Sequence, residues 1–166
     1  MLEAIKTYKQ SVGAMRLIGK KYSSGRDAWN EWREKGLFDL VKKQININFK
    51  DLYEDGDALI GLMCHRDGNH DNFEYWLGYF TPENTPVPEG LEYEDFSQMD
   101  MGICWFYEKD ENNYDLACEA LANIEKAGYI VTTEWTFERY SPNRCEDFNV
   151  RPIARDTIMD VGYFIE

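Results

Sequence analysis

The segment Glu134-Trp135-Thr136-Phe137-Glu138-Arg139-Tyr140 brings carboxylates and aromatic rings together on one short stretch. Read as a strand, it alternates, so Trp135 and Phe137 share one face while Glu134, Thr136, Glu138 and Tyr140 share the other. The apolar pair is expected to pack beneath helices, which directs Glu138 and Tyr140 to the opposite face. A carboxylate held among aromatic walls attracts lipophilic cations by charge, and each Trp or Tyr face adds about 0.5–2 kcal/mol of cation–π attraction. Blander roles compete with this one. A strand glutamate is commonly a surface residue, here paired with Arg139 or a lysine, and Tyr140 can serve as a sheet-edge aromatic. The run Ile103-Cys104-Trp105-Phe106-Tyr107 places Ile103, Trp105 and Tyr107 on a common face. Trp105 and Tyr107 are favoured for a pocket because their polar tips need partners that a ligand or water supplies; core packing is the alternative.

Other chemistries find little material. Cys64 and His65 with Asp67, His70 and Asp71 match no standard zinc spacing and straddle a turn, so a solvated hairpin is expected and no metal. Neither histidine has a flanking nucleophile signature, there is no Gly-x-Ser-x-Gly elbow, and no glycine-rich phosphate loop is present; no cofactor is expected. The four cysteines, Cys64, Cys104, Cys118 and Cys145, show no CxxC spacing and are read as reduced thiols that pack in the core. With 18 basic and 31 acidic residues the formal charge is −13. Phosphate backbones repel such a chain and no stretch collects Lys and Arg, so direct nucleic-acid binding is disfavoured and a cationic partner is favoured. No apolar run reaches the roughly twenty residues of a membrane span, and the N-terminus lacks the pattern of a signal peptide, so a cytoplasmic location is expected.

These residues must be positioned by a single domain, because 166 residues suffice for one core and one pocket. Helical spacing of Trp29, Trp32, Gly36, Leu37, Leu40 and Val41 follows the capping-box-like start Ser24-Gly25-Arg26-Asp27. Gly36 either kinks this helix or splits it, since glycine costs about 1 kcal/mol inside a helix. A second helix is expected from about Tyr114 to Ala127, with Asn113 as N-cap, Tyr114, Ala117, Cys118, Leu121 and Ile124 as its apolar stripe, and Gly128 as its stop. Strands are expected over Val12 to Lys21, Ala58 to His65, Phe73 to Thr81, Leu91 to Phe96, Met101 to Tyr107, Ile130 to Tyr140 and Phe148 to Ala154. Hairpin tips fall at Arg66-Asp67-Gly68-Asn69 and Ser141-Pro142-Asn143-Arg144, and Pro82, Pro86 and Pro88 mark an extended linker. The order strand, helix, hairpin then occurs twice, over about 11–82 and about 90–155. It predicts a pseudo-twofold α+β domain with antiparallel sheet halves, each carrying a helix, and a central seam of the kind that holds ligand pockets.

Several segments resemble the GyrI-like effector-binding domain. They are Phe73-Glu74-Tyr75-Trp76-Leu77-Gly78-Tyr79, the linker ending Pro88-Glu89-Gly90-Leu91-Glu92, the strand Met101-Gly102-Ile103-Cys104-Trp105-Phe106, and Phe137-Glu138-Arg139-Tyr140, which resembles the family's Phe-Glu-x-Tyr element. The same module forms the drug-sensing half of some AraC-type and MerR-type transcription regulators. No helix-turn-helix segment precedes it here, so the chain is expected to be a stand-alone member. The resemblance implies a ligand cavity on the Glu138 and Tyr140 face, and by family position it favours Trp76 over Tyr75 as a wall residue.

Three functions follow as expectations. The leading one is a binding module that takes amphipathic, cationic or planar aromatic molecules around Glu138, for sequestration or sensing. The second is a detoxifying hydrolase of strained, cyclopropane-type DNA-alkylating natural products, with Glu138 orienting water and Tyr140 or Tyr107 serving the developing oxyanion. The third is an acidic protein-interaction factor, after the family's gyrase-inhibiting relative.

Overall fold

The computed structural model describes residues 1–65, 73–145 and 157–166, apart from the side chains of His65 and Thr133. Among these described residues, eight strands form one antiparallel sheet: β1 (Lys6–Val12), β2 (Met15–Tyr22), β3 (Leu59–His65), β4 (Phe73–Pro82), β5 (Glu92–Phe96), β6 (Met99–Tyr107), β7 (Val131–Tyr140) and β8 (Ile158–Ile165). Their order across the sheet is β1-β6-β8-β7-β3-β4-β2-β5. About the β7–β3 seam this order is symmetric: β7 answers to β3, β8 to β4, β6 to β2 and β1 to β5. The pseudo-twofold α+β architecture is therefore present, with the edge strands exchanged. β1 lies beside β2 in sequence yet pairs with β6 of the other half, and β5 lies beside β6 yet pairs with β2.

This exchange bends the sheet. Val12 at the end of β1 and Met15 at the start of β2 are three residues apart, a span of at most about 11 Å, although their strands sit near opposite edges. Phe96 and Met99 make a second link of the same length between β5 and β6. The two edges are thus drawn together at this end, and the sheet curls around an interior of its own. Phe80, Phe96, Phe137 and Phe164 fill it, with ring centroids 5.9 Å apart for Phe80 and Phe137, 5.0 Å for Phe96 and Phe164, and 5.7 Å for Phe137 and Phe164.

Helices cover the outer face. Ser24 caps α1 (Gly25–Lys35), its hydroxyl accepting from the Asp27 amide, and Gly36 at φ +62° ends α1 and begins α2 (Leu37–Ile45). Only glycine adopts that left-handed conformation without strain, so the expected break is a full split. Ala28, Trp32, Phe38, Val41 and Ile45 face the sheet, whereas Leu40 is exposed. The third helix, α3 (Leu116–Lys126), starts later than expected. Asp115, not Asn113, is its cap, accepting from the amides of Ala117 and Cys118. Its buried stripe is accordingly Leu116, Ala120, Asn123 and Ile124, which leaves Tyr114 and Cys118 exposed. Cys118 is therefore not a core residue, while Cys64, Cys104 and Cys145 are buried. The buried Asn123 ties down the N-terminal segment, donating to the Leu2 carbonyl at 2.8 Å and accepting from the Ala4 amide at 3.2 Å.

Two strands depart from expectation. The apolar run read as one strand from Val12 begins at Met15, and the more polar Lys6–Val12 before it is a strand as well. The expected strand Phe148 to Ala154 and the tip at Arg66 to Asn69 lie outside the described residues; the strand that pairs with β7 is Ile158–Ile165. Among the described residues no helix is long and apolar enough to cross a membrane.

Within the sheet, Arg139 and Asp160 are fully buried neighbours in register on β7 and β8. Arg139 donates Nε to Asp160 at 2.7 Å, one terminal nitrogen to Gln10 at 2.8 Å and the other to the Tyr8 hydroxyl at 2.8 Å. Arg144 bonds both Asp160 and Asp55, and Ser141 donates to Asp55 at 2.6 Å. Burial opposes the charge on Arg139, but Asp160 more than restores it, so the guanidinium stays protonated. Burial alone would raise the Asp55 pKa; the Ser141 hydrogen bond and the Arg139 and Arg144 charges outweigh it and hold the carboxyl below its ordinary value.

Breaking this cluster on one side leaves a buried carboxylate uncompensated, so Arg139→Met is expected to cost about 3–5 kcal/mol. Urea denaturation should show that loss, and Arg139→Met combined with Asp160→Leu should recover part of it. The Asp55 contribution is complete above its unfolded pKa of about 4 and disappears as pH falls through the lower folded value. Urea midpoints measured from pH 7 down to pH 2 should therefore drop at the acid end, and Asp55→Asn should shallow that drop; an unchanged acid limb in the variant would speak against it.

Candidate functional site

At the β3–β7 seam a cleft of about 550 Å³ opens on the helix-covered face. Its floor comes from strand register. Gly61 on β3 stands opposite Glu138 on β7, Leu59 opposite Tyr140, and Met63 opposite both Tyr75 on β4 and Thr136 on β7. These residues share one face, and Gly61 leaves a gap in it. A methyl group on Gly61 would stand 2.6 Å from the Tyr75 hydroxyl and 3.3 Å from Glu138 Oε2, so glycine here makes the room in which those two groups converge. One wall is α1, whose Arg26, Trp29, Asn30 and Arg33 recur at helical spacing along a single stripe. Glu111, from the short 3-10 helix Glu108–Asn112, also lines the cleft.

Two hydrogen bonds set the interior. Trp29 Nε1 donates to the Tyr75 hydroxyl at 2.8 Å, and the Tyr140 hydroxyl donates to Glu138 Oε2 at 2.7 Å. The Trp29 ring meets Tyr140 edge-on, with centroids 5.1 Å apart and planes at 75°, and Arg33 lies over Trp29 at 5.0 Å. Burial pushes the Tyr140 pKa well above its ordinary value, and the neighbouring Glu138 charge adds to it, so the phenol keeps its proton and remains a donor at physiological pH. The result is a half-buried carboxylate held in one orientation with Trp29, Tyr75 and Tyr140 around it. Such a group can hold a positive charge beside flat apolar surface.

The structure brings Glu138 and Tyr140 together but not the other residues named from sequence. Their face lies beneath the helices, the reverse of the expected arrangement: Phe137 and Trp135 point into the curled interior, and Arg139 points there too. Arg139 therefore pairs with Asp160 and Tyr8, not with its chain neighbour Glu138. Trp76 belongs to the interior cluster and donates to Glu74. Trp105 is on the interior side, edge-on to Tyr8 at 5.9 Å and beneath Arg144 at 4.4 Å. Tyr107 stands at the surface with Lys109 over its ring at 4.7 Å. None of these three lines the cleft. Tyr75, passed over for Trp76, does so, as do Trp29, Arg26 and Arg33. The α1 residues among them form a second stripe beside the buried one, but no local feature of the sequence marks that stripe as bordering a cavity. The residues Asp67, His70 and Asp71 lie outside the described part, and among the described residues no cluster of His, Cys, Asp or Glu is arranged to hold a metal.

No family model and no curated protein matches the chain. Solved structures do. The structure of SAV2435 bound to tetraphenylphosphonium is 14% identical with a TM-score of 0.65, over 98% of this chain and 94% of that one. The EcmrR C-terminal domain is 10% identical with a TM-score of 0.58, over 97% of each chain. A hydrolase from Listeria innocua is 10% identical with a TM-score of 0.56, over 97% of this chain and 92% of that one. At these identities the likeness is one of fold, and it extends over nearly the whole chain: the curled antiparallel α+β architecture described above is shared with these proteins.

Proposed function

We propose that the chain is a small-molecule-binding module of the GyrI-like effector-binding type. Its ligand is amphipathic, cationic or planar aromatic, and it sits in the cleft at the β3–β7 seam against the contiguous wall of Trp29, Tyr75 and Tyr140, with Glu138 as charge partner. The observation that carries this reading is the Tyr140–Glu138 hydrogen bond inside an aromatic cleft above Gly61. Tyr140 fixes the carboxylate's position before any ligand arrives, which lowers the ordering cost of binding. That SAV2435 shares the fold and has been solved with tetraphenylphosphonium supports the same class of ligand.

Hydrolysis of a strained electrophile in the same cleft is a weaker reading, although hydrolase-named proteins share the fold. The Tyr140 proton already goes to Glu138, so the two groups that would serve water and oxyanion separately are engaged with each other. Sensing and sequestration share the same binding chemistry, and both start from this cleft.

Trp29 lies in the cleft, so tetraphenylphosphonium should quench part of the tryptophan emission on titration. Glu138→Gln keeps the shape and removes the charge, and it is expected to weaken binding about 5–30-fold. Trp29→Phe should remove most of the quenching while circular dichroism remains that of a folded protein. Equal affinity of Glu138→Gln and the parent protein would refute the assignment of Glu138.

A further inference from the structure

The cleft is not simply anionic. In a chain of formal charge −13 its lining carries two arginines, Arg26 and Arg33, against two glutamates, Glu111 and Glu138, so its own formal charge is zero. The charges are also sorted. Both cations come from α1, while the carboxylates come from other elements, Glu138 from β7 and Glu111 from the 3-10 helix. A site built for a bare cation gains nothing from two guanidinium groups on one wall, because each raises the energy of a positive ligand placed between the walls.

Arg26 is the more informative of the two. It lies in the first turn of α1, where the helix presents its positive end and a cation is disfavoured; the acidic residue that suits this turn is Asp27, and Ser24 supplies the cap. Arg26 is exposed at the rim and makes no hydrogen bond or ion pair with any described residue. Neither helix stability nor a structural ion pair accounts for it. Arg33, two turns further along the same stripe, lies over the Trp29 ring, so a flat ligand resting on that wall has a guanidinium at its border.

Building on the reading of the cleft as a small-molecule site, we infer that its preferred ligands are zwitterions: a flat aromatic body with a cationic centre toward Glu138 and an anionic substituent, such as a carboxylate, toward Arg26 and Arg33 on α1. The size of the cleft, about 550 Å³, suits a fused-ring molecule with one side group. Discrimination comes from both walls. A plain cation meets the guanidinium of Arg26 with nothing to offer it, and a plain anion meets Glu138 and Glu111.

Rhodamine 110 and rhodamine 123 provide the test, since they share one dye skeleton and differ in a free carboxylate against its methyl ester. Fluorescence anisotropy with the full chain should give rhodamine 110 an affinity about five-fold or more above that of rhodamine 123. Arg26→Gln, at an exposed position, should bring rhodamine 110 down to the level of the ester while leaving rhodamine 123 unchanged or slightly tighter. Added salt should shrink the gap between the dyes. The inference is overturned if the ester binds as tightly as the acid in the parent protein, or if Arg26→Gln weakens both dyes alike. Should tetraphenylphosphonium bind while the dyes are not discriminated, the zwitterion inference alone falls. If tetraphenylphosphonium and both dyes fail to bind, the small-molecule reading falls with it.

Discussion

Two links of two residues each, Gly13-Ala14 and Ser97-Gln98, hold the edges of an eight-stranded sheet together at one end. A flat sheet of this strand order would need both links to run across most of its width. Curling is the only solution, and it creates two different faces from one sheet. The concave side closes over its own side chains and excludes water without any helix. The convex side has to be covered from outside, and α1, α2 and α3 bury Trp32, Phe38, Ala120 and Ile124 against it. At the β3–β7 seam the cleft opens beside α1, whose Trp29 rests against Tyr140.

Neighbouring residues on β7 show how strongly this division acts. Glu138 and Arg139 are adjacent and opposite in charge, yet they take part in separate structures. Arg139 is sealed inside with Asp160, Asp55 and Arg144, and its charge is answered on every side. Glu138 looks outward toward the cleft and is steadied by the Tyr140 hydroxyl two residues along the same face. Strand alternation alone produces this sorting. One strand therefore holds an ion cluster on one side and the Glu138–Tyr140 pair of the cleft on the other.

The sequence was most legible where local chemistry decides the outcome. Ser24 and Gly36 mark the ends of α1 through hydrogen bonding and backbone conformation, and both act as expected. The apolar β4 and β6 read clearly as strands, whereas Lys6–Val12 did not, because a polar edge strand is defined by its pairing with β6 and not by its own side chains. The face assignment failed for a related reason. Trp135 and Phe137 were expected beneath helices because a helix is the usual cover for an apolar sheet face. A sheet that curls on itself supplies a second cover, and alternation cannot tell the two apart. Trp105 and Tyr107 were favoured for their polar tips and Trp76 by family position, and neither ground says which side of a curled sheet a residue faces; none of the three lines the cleft. Glu138 and Tyr140 met in the cleft because their common face follows from spacing of two residues, whichever way the face points. Arg26 and Arg33 were out of reach of this reasoning, since nothing in α1 says that its second stripe borders a cavity.

Because β7 separates its two duties by odd and even positions, changes to them are nearly independent under mutation. Substitutions at 138 and 140 alter what the cleft meets, while those at 137 and 139 alter how firmly the chain folds. Gly61, across the seam, adds a third handle: its missing side chain sets the depth of the cleft without belonging to any ion pair or ring contact. A lineage carrying such a strand can reshape the cleft through a few outward positions and keep an intact interior throughout. On this scaffold, chains that retain the architecture are free to diverge in what lines the cleft, and the shared fold would preserve almost no trace of the change.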